Sequence, residues 1–163
     1  EELPDDLPQA RLDQMWLYMD AQEAAGISPA MYEDLVFPAY RKLMALCGRL
    51  SYGCCEATHP IWEGALSHLT NLRKVSISPW CDEDFMGEAL RGTGITYLRK
   101  PPATLLGMET PLDEDAVTAC FRKTAGAARG CKLEIAQRDV YRIGKDVGKV
   151  RRYVELARRA LEG

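Results

Sequence analysis

Five short apolar runs in this chain are each followed by residues that can move protons, hold anions or attack electrophiles. Asp20, Gln22 and Glu23 follow the first run. Tyr52, Cys54, Cys55 and Glu56 stand at the end of the second, and Trp80, Cys81 and Asp82 at the end of the third. Arg99 and Lys100 close the fourth, and Arg138, Asp139 and Tyr141 close the fifth. Thiolates are nucleophiles and soft metal ligands. Carboxylates and tyrosines transfer protons. Arg99, Lys100 and Arg138 would pair with substrate carboxylates through charge-assisted bonds, or form surface ion pairs with Asp139 or Glu134. Trp80 would wall a flat ligand or pack a rim. Tyr52 and Tyr141 would donate protons or serve as hydrogen-bonded structure. Cys54 and Cys55 would be chemistry, or small residues packed at a strand end.

These groups need elements to carry them. Residues 15–19, Met-Trp-Leu-Tyr-Met, fit a buried strand or a helix, and periodicity alone does not separate the two. Ser28 and Pro29 suit an N-cap and first turn, opening a helix through Met44 that Pro38 bends. Leu50-Ser51-Tyr52 reads as a strand. Pro60 opens a helix with Ile61, Trp62, Ala65 and Leu66 on one face. Residues 74–78 form the next strand, and Asp82 caps a helix that Gly92 ends. A strand at Ile95–Leu98 precedes a helix capped by Asp113 and followed by Gly130. A last strand, 132–136, leads to a helix presenting Val147, Val150, Val154, Ala157 and Leu161.

Alternating strands and helices imply a parallel sheet, and short apolar strands suggest cover on both faces. Neither glycine-rich nucleotide fingerprint is present in the sequence. A barrel is therefore a candidate, but a closed (β/α)₈ barrel takes roughly 250 residues. These 163 residues form a single domain, 1–163, with at most five strand–helix units. Strands lie upstream, or two copies complete one another. The first residue is Glu1 rather than Met, which fits a piece of a longer product.

A net charge of −3 argues against a nucleic-acid partner. The late cluster Arg151, Arg152, Arg158 and Arg159 reads as a solvated helix face. No apolar run is long enough to span a bilayer, and no signal peptide is visible. Six cysteines without the spacing of a secreted scaffold suggest reduced thiols in a cytoplasm.

Three stretches together resemble the uroporphyrinogen decarboxylase-like superfamily. Gly-Ile-Ser-Pro-Ala-Met-Tyr-Glu-Asp-Leu-Val-Phe-Pro (26–38) is similar to a helix start of that family. Tyr-Gly-Cys-Cys-Glu (52–56) followed by Asn-Leu-Arg-Lys-Val-Ser-Ile-Ser-Pro-Trp (71–80) resembles its anaerobic bacterial branch. Leu-Glu-Ile-Ala-Gln-Arg-Asp-Val-Tyr (133–141) with Lys149 to Tyr153 resembles that branch's last strand and helix. The likeness runs from about Asp13 onward, carried by order and spacing more than by any one motif.

The resemblance implies α/β architecture: a partial (β/α)₈ TIM barrel, about strands four to eight, with residues 14–20 as strand four. It implies an active site at the C-terminal ends of the strands. Two chemistries go with the family: cofactor-free decarboxylation of a tetrapyrrole, and zinc-assisted methyl transfer from a corrinoid. The methyltransferases hold zinc through His-x-Cys and a distant Cys. Here Tyr52 stands at the His position, and Asp139 is nearest the distant Cys. An altered site of Cys54, Glu56 or His59, and Asp139 would be the metal set. Asp20-Ala21 falls near the Asp-Ser pair that the decarboxylases carry after strand four, with the Ser lost, and Asp139 falls near the place where they carry a His; their key Asp and Arg residues would lie on the N-terminal part of the barrel. Asp20, Tyr52, Asp139 and Tyr141 are the catalytic candidates, and Gln22, Trp80, Arg99 and Arg138 the substrate-binding ones. The expected function is methyl transfer from a corrinoid or small methyl donor, with a corrinoid protein as a possible partner. The alternatives are a metal-free decarboxylase and a non-catalytic truncated barrel that pairs with another chain. The chain is expected to form a homodimer or to be completed by N-terminal strands.

Overall fold

The computed structural model describes residues 11–162. Its centre is a five-stranded, all-parallel sheet whose strand order follows chain order. The strands are β1 (Trp16–Met19), β2 (Arg49–Tyr52), β3 (Leu72–Ile77), β4 (Thr96–Arg99) and β5 (Lys132–Ile135). The helices are α1 (Pro29–Met31), α2 (Phe37–Met44), α3 (Glu83–Leu90), α4 (Thr104–Gly107), α5 (Glu114–Ala127) and α6 (Val147–Glu162). The ambiguous run at 15–19 is a strand, and its partner is β2.

Local chemistry starts and stops the helices. Ser28 Oγ accepts the Met31 N–H at 3.2 Å, and Pro29 occupies the first turn. A π-helical turn, Tyr32–Val36, then leads into α2, which carries Pro38. A proline there gives up a helical donor, which a widened turn accommodates. Asp82 and Asp113 cap α3 and α5 at 3.0 Å and 2.9 Å.

Strand periodicity divides the sheet into two faces. Leu17, Leu50, Tyr52, Val75, Ile77, Tyr97 and Leu133 face the helical layer and form the core with Tyr32, Met44, Leu66 and Met86. A fully buried aliphatic side chain of this kind contributes about 1.5–3 kcal/mol. A second core lies between α5 and α6, where Phe121 meets Tyr153 edge-on at 5.5 Å. The opposite sheet face is more polar and more open. Trp16 is 47% exposed and Tyr18 53%. Lys74 pairs with Glu134 across that face at 2.6 Å. The expectation of strands covered on both faces therefore fails at the sheet's edges.

Two further expectations are corrected. The segment after Pro60 is not one α-helix but two short 3₁₀ turns, His59–Ile61 and Leu66–His68. Gly64 between them lies against the Glu33 carboxylate, where a Cβ would stand 1.8 Å from it. The buried stripe of α6 is Lys149, Tyr153, Leu156 and Ala160, with Val147 and Val154 exposed. Lys149 is admitted to that stripe because its ammonium donates to the carbonyls of Met108 and Thr110.

Candidate functional site

The site begins at Gly53, directly after β2. Its φ of +98° is a left-handed backbone that a side chain resists, and a Cβ would stand 2.9 Å from the Thr58 methyl. The glycine lets residues 54–58 fold back over the end of the sheet. Glu56 holds this loop from inside. Its carboxylate accepts the N–H of Ala21 at 3.2 Å and of Cys54 at 2.8 Å. Ser76 and Ser78 donate to the carbonyls of Cys54 and Glu56, and Thr58 donates to that of Ser76. The polar residues at the end of β3 are thus consumed in fixing the loop.

Lys100, directly after β4, is buried. Its ammonium donates to the carbonyls of Gly53 at 3.1 Å and Cys54 at 3.2 Å, and lies 5.8 Å from the centre of the Tyr18 ring. Burial pushes the Lys100 pKa down. Tyr18 donates to the Gly53 carbonyl at 3.2 Å. From beyond β5, Arg138 places one guanidinium N–H on the Cys54 sulfur and another on Asp139 at 3.1 Å. Asp139 has a φ of +60°, uncommon for a residue with a side chain. Cys55 Sγ lies 3.9 Å from Cys54 Sγ and 3.9 Å from the Asp139 carboxylate.

These groups meet in a pocket of about 420 Å³ bounded by Pro79, Trp80 and residues 100–104. Burial pushes the Cys54 thiol up, but the neighbouring Tyr18 hydroxyl, Arg138 guanidinium and Cys55 thiol, with the Lys100 charge, outweigh it and bring the thiol below its ordinary value. Burial and the Cys54 charge raise Cys55. The hydrogen bond to Cys54 raises Arg138. The guanidinium therefore favours the anion of one sulfur, while the surroundings of the second disfavour its anion.

The structure brings Cys54, Trp80, Arg138 and Asp139 into one pocket. It separates the other sequence candidates from it. Tyr52 was expected in the mouth, but it shares a strand face with Leu50 and lies in the core, its hydroxyl 2.7 Å from that of Tyr32. Arg99 shares a face with Tyr97 and is only 3% exposed. It pairs with Glu83 at 2.9 Å and donates to the carbonyls of Ile77 and Ser78, so it is a structural cation rather than a substrate ligand. Tyr141 is 90% exposed and lies beside a separate cleft with Glu109 and Arg142. Gln22 is exposed on the turn after β1, and Asp20 is half-buried at the end of β1. Burial chiefly raises the Tyr18 pKa, and Asp20 is close enough to add to it.

The proposed metal set does not converge. Both Glu56 oxygens are taken by backbone N–H groups, and His59 Nδ1 accepts the Asp82 N–H. The Cys54 sulfur carries a guanidinium, whose charge opposes a cation at the same point. Among the described residues, no three His, Cys, Asp or Glu side chains are grouped to hold a metal ion. The residues present do not fit a zinc centre of Cys54, Glu56 or His59, and Asp139.

The sequence reading missed Tyr18, whose signal was its place two residues from Trp16 on the same strand face. It placed Lys100 on the rim without its contact to the Cys54 carbonyl. The chain matches no family model, no curated protein and no solved structure.

Proposed function

We propose that the chain is an enzyme of the uroporphyrinogen decarboxylase-like type, of the methyltransferase branch, in which Cys54 receives a methyl group from a corrinoid or other small methyl donor. The observation that carries this reading is the Arg138 guanidinium held on the Cys54 sulfur inside an accessible pocket. A guanidinium cannot take up the thiol proton at neutral pH, so it favours a nucleophilic sulfur without consuming it. In the transfer, a Cys54 S–C bond forms as the donor's bond to the methyl group breaks, and the donor leaves with the electron pair. Trp80, 75% exposed at the rim, offers a flat surface to a macrocycle. The partial-barrel reading draws support from the sequential parallel strand order and from a pocket at the C-terminal strand ends. The more open sheet face would then be the barrel interior, completed by upstream strands or a second copy. Six free cysteines fit a reducing cytoplasm, and no helix of the described residues is long and apolar enough to cross a membrane.

A second reading is favoured by the non-convergent metal donors together with Lys100 and Arg138 at the pocket: metal-free decarboxylation of a tetrapyrrole carboxylate. One experiment separates them. The protein is incubated with methylcobalamin, and separately with uroporphyrinogen. A methyl group recovered on Cys54, absent in Cys54→Ala and reduced in Arg138→Met, supports methyl transfer. Carbon dioxide release from uroporphyrinogen without protein methylation supports the decarboxylase instead.

A further inference from the structure

We infer that Cys54 and Cys55 form a reversible oxidation site, in which a hydroperoxide converts Cys54 to a sulfenic acid that Cys55 resolves to a disulfide. The sulfurs lie 3.9 Å apart, within van der Waals reach and needing only a local contraction to the roughly 2.05 Å of an S–S bond. The two thiols differ in surroundings as attacking and resolving groups should. Cys54 bears the Arg138 guanidinium, which stabilises its anion. Cys55 faces the Asp139 carboxylate at 3.9 Å. The pocket of about 420 Å³ admits a small peroxide to this pair.

The chemistry balances in two steps. The Cys54 thiolate attacks the peroxide, an S–O bond forms, and the O–O bond breaks. The alkoxide or hydroxide leaves with the electron pair and takes a proton from water. Cys54 is oxidised and the hydroperoxide is reduced. The Cys55 sulfur then attacks the Cys54 sulfur, the S–S bond forms, and the S–O bond breaks. Water leaves, carrying the sulfenic oxygen and the Cys55 proton, with Asp139 placed to relay that proton.

Adjacency makes the bridge labile. Neighbouring Cα atoms across a trans peptide are about 3.8 Å apart, closer than the roughly 4.4 Å at which disulfides ordinarily begin. A Cys54–Cys55 bridge therefore strains the loop, and strained disulfides are the readily reduced ones. Bridging removes the Cys54 nucleophile. That this would suspend methyl transfer rests on the function proposed above; the oxidation itself does not.

The test treats the intact chain with hydrogen peroxide, blocks free thiols, and maps the cysteine peptides by mass. The expected result is loss of two hydrogens in the peptide holding Cys54 and Cys55, restored by glutathione. In Cys55→Ser, a sulfenic acid at Cys54 should be trapped by dimedone. Arg138→Met should slow Cys54 oxidation by about tenfold. The inference is overturned if both thiols stay free while Cys47 or Cys131 is oxidised, or if wild-type Cys54 passes to sulfinic acid without bridging. A bridge in protein that takes no methyl group from methylcobalamin supports the oxidation site and counts against methyl transfer. Methylation without a bridge reverses both conclusions.

Discussion

Glu56 shows how a residue of catalytic type becomes structural. The family resemblance makes it a candidate metal ligand, yet its two oxygens close the loop against Ala21, just past β1, and against Cys54. Glu56→Ala would leave two buried N–H donors unpaired, at about 1–3 kcal/mol each. The loss should appear as a lower urea midpoint with an unchanged slope; an unaltered midpoint would mean the loop is held elsewhere. Tyr52 and Arg99 give the same lesson from the other side. Both stand where a strand ends, and sequence alone did not say which face each would take. One residue's shift in strand register exchanges core for mouth. Cys54, Trp80, Arg138 and Asp139 reach the pocket from positions past the strand ends, where loop geometry rather than alternation decides.

At the scale of elements, the caps were the most legible feature. Asp82 and Asp113 each precede a helix and accept the expected N–H, because capping depends on a few adjacent residues. Asp113→Ala should cost about 1 kcal/mol, measured by thermal or urea unfolding. The segment after Pro60 was not legible. Its apolar spacing fits a helix, but the contact of Gly64 with Glu33 is set by an element much earlier in the chain. The stripe of α6 was misread for a related reason, since Lys149 reads as solvent-facing until its carbonyl partners are known. Where α3, β4 and α5 meet, Glu83 accepts from Arg99 at 2.9 Å and from Thr124 at 2.8 Å, all three buried. Glu83→Leu strands the Arg99 charge and should cost about 3–5 kcal/mol. Adding Arg99→Met should recover much of that loss. If the double variant is no more stable than the single one, the pair is not the unit that matters.

At the scale of the molecule, the parallel sheet and its helices followed from the alternation of short apolar runs with capped helical stretches. The openness of one sheet face did not, because apolar content does not reveal what covers a strand. Trp16 and Tyr18 stand on that face, and among the described residues β1 and β5 each have a single strand partner. Exposed aromatic surface beside unpaired strand edges invites association. The chain is expected to self-associate in light scattering, and Trp16→Glu should shift it toward monomer. A wild-type monomer at all concentrations would show that this face tolerates water. The sheet also explains how distant parts of the chain build one pocket: parallel strands bring their C-terminal ends to one side, so residues 54, 100 and 138 meet there.

The central claim is that Arg138 favours the anion of Cys54, and the pH dependence of its alkylation tests it most directly. Iodoacetamide modification of each cysteine is followed by peptide mass across the pH range, in wild type and in Arg138→Met. Alkylation follows the thiolate, so a lowered pKa moves the half-maximal rate to lower pH. The expected result is a Cys54 midpoint below the roughly 8.5 of a free thiol, lying under those of Cys55 and Cys131, and moving upward in Arg138→Met. A Cys54 midpoint equal to or above that of Cys131, or one indifferent to loss of the guanidinium, would contradict the account.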